Sequence, residues 1–186
     1  MQENEWIIED AKQAHFTDKR LRTRYIKLLD KFTGSPAQSI PRACTTWKET
    51  LAAYRFFNHE TITPQQILTP HYETTLERIK KEQVVLIPQD TTEIDFSGRK
   101  SLAGIGYLGS EKSQGFYLHP NLAITPEKLC LGLVNTEIWQ RQELGIRGHR
   151  KDKPIEEKES YRWLKGYEAA NRVALEAPET MIVSIA

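Results

Sequence analysis

The feature that most constrains this chain is a short uninterrupted apolar run, VVLI at residues 84–87. Because the run shows no alternation of polar and apolar residues, it predicts a strand that is covered on both faces. Such a strand requires a sheet with other elements packed over it. A proline and then an acid, Asp90, follow where the strand leaves the core. An acid in this place is a candidate functional group.

The chain before residue 83 has the apolar spacing of helices. In DKRLRTRYIKLLDKF, residues 18–32, one stripe consists of Leu21, Tyr25, Leu28 and Phe32. We predict helical structure over residues 5–33 and a second helix over 41–57. The second helix is expected to bury a stripe formed by Trp47, Leu51, Tyr54 and Phe57.

A third helix is predicted to begin at TPQQ, residues 63–66, because Thr63 and Gln66 have the spacing of a capping box and Pro64 suits the first turn. Its apolar residues are Ile67, Leu68, Tyr72, Leu76 and Ile79. Residues 1–82 are therefore predicted to form a helical bundle.

After residue 82 the pattern becomes one of strands. Residues 116–125 and 129–140 are predicted to form an antiparallel meander with 84–87, and MIVSIA at 181–186 a fourth strand. Between them lie predicted connections at 98–115 and 141–154, and a helix over 154–177 whose buried stripe is Trp163, Tyr167, Ala170 and Ala174. The predicted class is α+β, with a helical domain at 1–82 and a mixed sheet at 83–186.

Composition excludes several classes of protein. Hydrophobic residues make up 39% and charged residues 27%, which is typical of a globular protein rather than a disordered one. No apolar run approaches the roughly 20 residues that span a bilayer. The acidic, mixed N-terminus is not a signal peptide, and Cys44 and Cys130 form neither a metal motif nor a disulfide framework. We expect a cytoplasmic protein without a membrane partner.

A cluster of cations lies on the helix over residues 18–32. Because arginine and lysine at this density suit phosphate contacts, the cluster is a candidate nucleic-acid surface. The net charge of the chain, +1, does not by itself indicate nucleic acid. A solvated helix face remains the alternative. The cations are Lys19, Arg20, Arg22, Arg24, Lys27 and Lys31.

Asp90 has two interpretations. A carboxylate at the end of a buried strand can bind a hard cation such as Mg²⁺, or it can accept hydrogen bonds within a turn beside Thr91. Asp95 lies in the predicted following turn. His119 could reach the Asp90 neighbourhood, but the favoured alternative is a hydrogen-bonded strand residue. The glycines of GIGYLGS, residues 104–110, lack the spacing of a phosphate-binding loop.

Several stretches together resemble one family: AYRFFNHETITPQQIL at 53–68, LIPQDTTEIDFSG at 86–98, LVNTEIWQRQ at 133–142 and EKESYRWL at 157–164. They are similar, in the same order, to the N-terminal part of DDE transposases of bacterial cut-and-paste insertion sequences. The resemblance is to the IS-four family and its Tn-five-type branch.

The resemblance implies roles for particular residues. The helical domain of the family binds double-stranded DNA at the transposon ends, which implies DNA contacts by Lys19, Arg20, Arg22, Arg24 and Arg55. The aspartate of the family's D-T-T motif is the first acid of a metal-binding catalytic triad on an RNase H-like sheet, and here it is Asp90. The location implied is the bacterial cytoplasm, in association with the nucleoid.

The sequence departs from the family pattern after its last strand. The second and third acids of the family lie beyond that strand, so residues 83–186 are expected to form an incomplete RNase H-like sheet of three antiparallel strands, a helix and a fourth strand. We expect a truncated transposase that binds terminal inverted repeats. Mg²⁺ would serve the complete enzyme, whereas this chain would not bind it tightly and would not cleave DNA. Homo-oligomers are expected to need the missing C-terminal region.

Two other functions stay open. A chain that binds DNA without a complete catalytic centre could be an interaction protein that interferes with an intact transposase. A self-contained metal-dependent nuclease would need a second acid near Asp90, and the candidates are Glu93, Asp95 and Glu137.

Overall fold

The computed structural model describes residues 5–16, 18–99, 102–142 and 154–186. The chain forms two compact units, Met1–Thr74 and Thr75–Ala186, and each has its own apolar core. We call them the helical unit and the sheet unit. The division falls inside a helix, Pro64–Ile79, and the predicted domain boundary after residue 82 stays a prediction.

Four helices lie wholly within the helical unit, and a fifth begins there. They are α1 (Glu5–Gln13), α2 (Lys19–Thr33), α3 (Ile40–Ala43), α4 (Trp47–Phe57) and α5 (Pro64–Ile79). The helical structure predicted over 5–33 is present as two helices, α1 and α2, whereas the single helix predicted over 41–57 is wrong, because it is divided into α3 and α4. A polar side chain that caps the following helix stands at each division.

Side-chain caps explain where three helices begin. Asp18 starts α2, since its Oδ1 accepts a hydrogen bond from the Arg20 amide at 2.7 Å. Thr46 starts α4 with a capping box in which Thr46 and Glu49 each accept from the other's amide at 3.2 Å. The predicted box at the start of α5 is confirmed: two hydrogen bonds of 3.2 Å join Thr63 and Gln66.

The core of the helical unit confirms the predicted apolar stripe of α2. Tyr25 and Leu28 are buried, and Leu21 and Phe32 pack against the same cluster. Helices α2 and α4 pack against each other. Lys31, near the end of α2, contacts Glu49 near the start of α4, whereas the Tyr25 ring lies 6.5 Å from the ring of Phe56 near the end of α4.

The predicted buried stripe of α4 is wrong. Trp47 is 74% exposed and Tyr54 is 41% exposed, while Phe57 is also exposed and Leu51 is half-buried. The buried residues are instead Thr50, Ala53 and Phe56. Two of these are small, and the third, Phe56, is the large side chain that α4 places in the core. Trp47 and Tyr54 lie outside this buried face.

The sheet unit is built around one long strand. Strand β4 (Gln114–Ile124) pairs in antiparallel fashion with β1 (Val84–Pro88), β2 (Thr92–Asp95), β3 (Gly106–Tyr107) and β5 (Cys130–Trp139). Strand β6 (Met181–Ile185) lies parallel to β1, with Leu86 opposite Val183. The resulting order across the sheet is β2-β4-β1-β6, with β3 and β5 also on β4.

The sheet differs from its prediction in detail. It has six strands rather than four, because β2 and β3 occupy segments that were predicted to be connections. Asp95 accordingly ends a strand. The predicted loop at 141–154 lies outside the described residues except at its two ends. The α+β class, with helices followed by a mixed sheet, is confirmed.

Helix α6 (Tyr161–Glu176) covers part of the sheet. It begins later than predicted, because a 3-10 turn at Ile155–Glu157 precedes it. Of the predicted buried stripe, Ala170 is buried but Tyr167 is 59% exposed; the buried face is Gly166, Ala169, Ala170 and Val173. These small residues pack over a core that contains Val85 and Ile87, both fully buried. Within the described segments, no helix has the length and apolar character needed to cross a bilayer.

Candidate nucleic-acid interface

A cationic groove of about 590 Å³ lies between α2 and α4. Arg20, Arg24, Lys27 and Lys31 follow one face of α2 at the spacing i, i+4, i+7, i+11, which places them on one line along the helix. Helix α4 contributes Lys48 to the opposite wall. The groove therefore holds five cations against two acids; its lining residues are Arg20, Thr23, Arg24, Lys27, Leu28, Asp30, Lys31, Cys44, Lys48, Glu49 and Ala52.

Polar contacts fix the two walls of the groove relative to each other. The Lys31 ammonium donates to Thr45 Oγ1 at 2.9 Å and lies 3.4 Å from Glu49 Oε1. Desolvation raises the pKa of Glu49, but the amides of Thr46 and Thr45 and the charge of Lys31 outweigh it, so the pKa lies below its usual value. Glu49 is thus held as a carboxylate that joins α2 to the start of α4.

The core of the helical unit contains a buried tyrosine, Tyr25, that is neutral. The Tyr25 hydroxyl donates to the Ile67 carbonyl at 3.1 Å. Burial, together with the charge of Asp10, raises the pKa of Tyr25 to about 12. Tyr25 therefore stays uncharged and adds packing rather than charge to the helical unit.

The predicted DNA-contacting residues fall in four places. Arg20 and Arg24 line the groove, Arg55 is exposed on α4, and Lys19 is exposed at the start of α2. Arg22 lies on the other side of α2, about 200° around the helix from Arg20. Its guanidinium donates to the Ala11 carbonyl at 2.8 Å, and it lines a separate depression.

Sequence reasoning missed Lys48 as a member of the interface. The residue precedes Arg55 by seven positions, and Ala52 lies between them on the same side of α4. This spacing was a usable signal. It was not decisive, because the opposite wall of the groove comes from another helix and depends on how the two helices pack.

Asp90 lies at the surface of the sheet unit, immediately after a bridge that pairs Gln89 with Asn121. Its Oδ1 accepts a hydrogen bond from the Thr91 amide at 2.7 Å. This contact is what the turn interpretation expects. It is also compatible with a carboxylate held in place for a cation, so the metal-binding role stays a prediction.

A buried histidine supports the turn that carries Asp90. The His119 ring is inaccessible to solvent, with Nδ1 2.7 Å from Thr91 Oγ1 and Nε2 3.0 Å from Gln89 Oε1. Burial lowers the pKa of His119, although the charges of Asp90 and Glu137 act to raise it. A neutral ring that donates from Nε2 and accepts at Nδ1 satisfies both partners. The expectation of a hydrogen-bonded strand histidine near Asp90 is confirmed.

Helix α6 closes over this polar cluster. Asn121 Nδ2 donates to the Gly166 carbonyl at 3.2 Å, and the Trp163 ring lies edge-on to His119 at 5.0 Å between centroids. A Cβ on Gly166 would lie 1.9 Å from Gln89 Oε1. Glycine is required here because the helix backbone directly contacts the polar side chains of the sheet.

The other candidate acids have local partners. Glu137 accepts from the Lys165 ammonium at 2.9 Å. The side-chain and backbone hydrogen bonds of Ser97 hold the pKa of Asp95 below its usual range. In residues 5–16, 18–99, 102–142 and 154–186, no group of three His, Cys, Asp or Glu side chains is arranged to hold a metal ion.

Comparison with known proteins identifies part of the helical unit. Residues 3–62 match the family model for transposase DNA-binding segments. No curated protein matches the chain. The matched segment includes α2, α4 and every residue that lines the cationic groove. The match supports a transposase-like DNA-binding role for this chain.

Proposed function

We propose that the helical unit binds duplex DNA and that its target is the terminal inverted repeat of a transposable element. The observation that carries this proposal is the groove between α2 and α4, with its five cations and two acids. The match of residues 3–62 to transposase DNA-binding segments supports the same target class.

The dimensions of the groove suit a polyanion. From Arg20 to Lys31 the cations extend over about 16 Å of helix axis, at 1.5 Å per residue. Duplex DNA carries about one negative charge per 1.7 Å of its axis, so several phosphates lie within that length. A single small anion would meet only a few of the cations, whereas a duplex can meet all of them.

The finer proposal is that the chain is a cut-and-paste transposase of the IS-four family. Its support is the resemblance of four stretches, which lie in both units. Under this proposal Asp90 is the first of the metal-binding acids. Carboxylate oxygen is a preferred ligand of Mg²⁺, and the exposed carboxylate of Asp90 has one oxygen oriented by the Thr91 amide.

Asp90 is one ligand, and the described residues supply no complete metal site around it. A bound Mg²⁺ would supply Lewis-acid stabilisation of charge on a transferring phosphoryl group. The contribution of this chain's own residues is positional, since Thr91 holds the carboxylate and His119 holds Thr91.

The role of Asp90 can be tested without measuring catalysis. Fe²⁺ with ascorbate and peroxide cleaves a polypeptide close to a bound metal ion. Because a single carboxylate holds a divalent ion weakly, we expect cleavage near residue 90 of the wild type only at high Fe²⁺ concentration, and its loss in Asp90→Asn. Cleavage that is absent from the wild type, or that persists in the variant, would contradict the metal-binding role.

The DNA-binding proposal is tested by selection. The full chain is incubated with a pool of random 30-bp duplexes, and the bound fraction is amplified and reselected. We expect one preferred sequence. The Kd of that duplex should rise steeply with salt, because binding to phosphates releases counterions.

Two matched triple variants distinguish DNA binding by the groove cations from DNA binding by surface charge in general. Replacement of Arg20, Arg24 and Lys48 by alanine should reduce the slope of log K against log salt by about 2 to 3. The control replaces Lys81, Lys112 and Arg172, which are exposed cations of the sheet unit, and should leave the slope unchanged. Equal effects of the two variants, or no salt-dependent binding by the wild type, would refute the proposal.

A further inference from the structure

The outward side of α4 combines exposed aromatic rings with cations. Around the helix axis, at about 100° per residue, Tyr54, Trp47, Leu51, Arg55 and Lys48 follow one another within about 120°. Tyr54 and Trp47 occupy one half of this face, and Arg55 and Lys48 the other. We call it the mixed face of α4.

The aromatic half of the mixed face has no role in holding α4 in place. The helix is fixed by its capping box and by the buried side chains of Thr50, Ala53 and Phe56. Trp47 shares with Leu175 the highest exposed fraction, 74%, of any large apolar side chain among the described residues. A helix that exposes a tryptophan and a tyrosine side by side indicates a surface with a partner.

The cationic half of the mixed face indicates the nature of that partner. Lys48 lies both on this face and on the wall of the cationic groove, so the face and the groove form one continuous surface. A partner that covers both must be a polyanion that also presents apolar groups. Duplex DNA has this chemistry, because its phosphates flank deoxyriboses, base edges and thymine methyl groups.

We propose that the mixed face of α4 docks against duplex DNA, with Lys48 and Arg55 at phosphates and Trp47 and Tyr54 packed against deoxyriboses and base edges. This inference rests on the proposed function, because it takes duplex DNA as the ligand of the groove. It adds a second set of contacts to that DNA, which are apolar. The cations supply affinity that depends on salt. Trp47 supplies affinity that does not, because apolar burial releases no counterions.

Salt dependence therefore separates the two kinds of contact in one titration. The Kd of the duplex obtained by selection is measured between 50 and 300 mM salt for the wild type, W47A and K48A. We expect W47A to weaken binding about tenfold or more at every salt concentration, with an unchanged slope. K48A should reduce the slope by about 0.9.

Two further variants exclude indirect effects. W47F keeps an aromatic ring and should bind within about threefold of the wild type. Tyr167→Ala removes a ring of the sheet unit that is 59% exposed and should leave the Kd unchanged. In the wild type, DNA should also protect a tryptophan from acrylamide quenching, and this protection should be lost in W47F.

The outcomes distinguish this inference from the proposed function. If K48A weakens binding while W47A binds within twofold of the wild type, the groove binds DNA and the inference on Trp47 is wrong. If W47A and W47F are equally weak, the ring does not make the contact and the inference is also wrong. If the wild type binds no duplex in a salt-dependent manner, the proposed function itself fails.

Discussion

The cationic groove of the helical unit and the polar cluster of the sheet unit differ in where their polar groups lie. In the helical unit the cations of the groove lie at the surface, above a core that includes Ala53 and Tyr25. In the sheet unit the polar side chains of Gln89, His119 and Asn121 are buried beneath α6. Exposed cations of the groove such as Arg20 and Lys27 can therefore be removed with little effect on packing, whereas the polar cluster beneath α6 cannot lose a member without a change in the core of the sheet unit.

The largest predicted change in unfolding free energy comes from a substitution in the sheet unit. It fills the space that the buried polar cluster occupies beneath α6. In Gly166→Ala the new methyl group would lie 1.9 Å from Gln89 Oε1 and 2.8 Å from Asn121 Nδ2. Either α6 must move away or the hydrogen bond that His119 Nε2 donates to Gln89 Oε1 must break. The higher helix propensity of alanine offsets only part of this, so we expect a net loss of about 2 kcal/mol of unfolding free energy.

Hydrogen exchange measured by mass spectrometry can locate this effect. Amides of β1, β4 and α6 should exchange faster in Gly166→Ala, and those of α2 should not. Gly109→Ala is the matched control, because a Cβ at Gly109 would meet no atom within 4 Å. Faster exchange in the helical unit as well would show that the two units do not respond separately.

A substitution in the helical unit should cause a smaller loss of stability. It tests the other half of the comparison between the two units. Thr46→Ala removes the side-chain oxygen that accepts from the Glu49 amide at 3.2 Å. We expect a loss of about 1 kcal/mol and faster exchange at the start of α4, without an effect on β1 or β4. Thr46→Ser keeps the hydroxyl and should restore most of the protection; equal exchange in the two variants would argue against the cap.

The two units also differ in which of their features could be predicted from the sequence. The stripe of α2 and the box at Thr63 were predictable, since both depend on spacing within one segment. The face of α4 was not. Spacing revealed an apolar stripe that includes Trp47 and Tyr54, but it could not show that the neighbouring helix packs against the smaller residues instead.

Features that join distant segments were the hardest to predict. The groove requires residues from two helices, and the contacts of His119 depend on the register of β4 against β1, which is set by tertiary pairing. Strand β2, TEID, was missed because its side chains are mostly polar and exposed. Long-range pairing rather than local propensity fixes such a strand.

Lowering the pH should reduce the unfolding free energy of the sheet unit by a still smaller amount. The pKa of His119 is lowered in the folded chain from its value of 6.5 in the unfolded chain. As the pH falls below 6.5, the unfolded chain therefore binds more protons at this residue than the folded chain does. The stability that neutral His119 confers is complete above about pH 6.5 and declines as the pH falls toward the folded pKa.

Urea unfolding at pH 7.5, 6.5 and 5.5, followed by tryptophan fluorescence, measures this decline. Trp163 lies beside His119 and reports on the sheet unit. In His119→Gln the decline should be absent. The carboxylates with lowered pKa, Asp18, Glu49 and Asp95, lose their contributions only at lower pH, because their usual values are 3.8 to 4.5. An equal decline in wild type and variant would assign the pH dependence to another group.

The smallest effect is expected at Arg22, and it defines the edge of the DNA-binding surface. Arg24 lines the groove, whereas Arg22 faces away from it and donates to the Ala11 carbonyl. R24A should reduce the slope of log K against log salt by about 0.9, and R22A should leave that slope unchanged. Both variants remove one positive charge from α2, so each controls for the other. If R22A reduced the slope as much as R24A, the bound duplex would have to contact both sides of α2. The groove would then be only part of the DNA-binding surface. That surface would extend around α2 to its contact with α1.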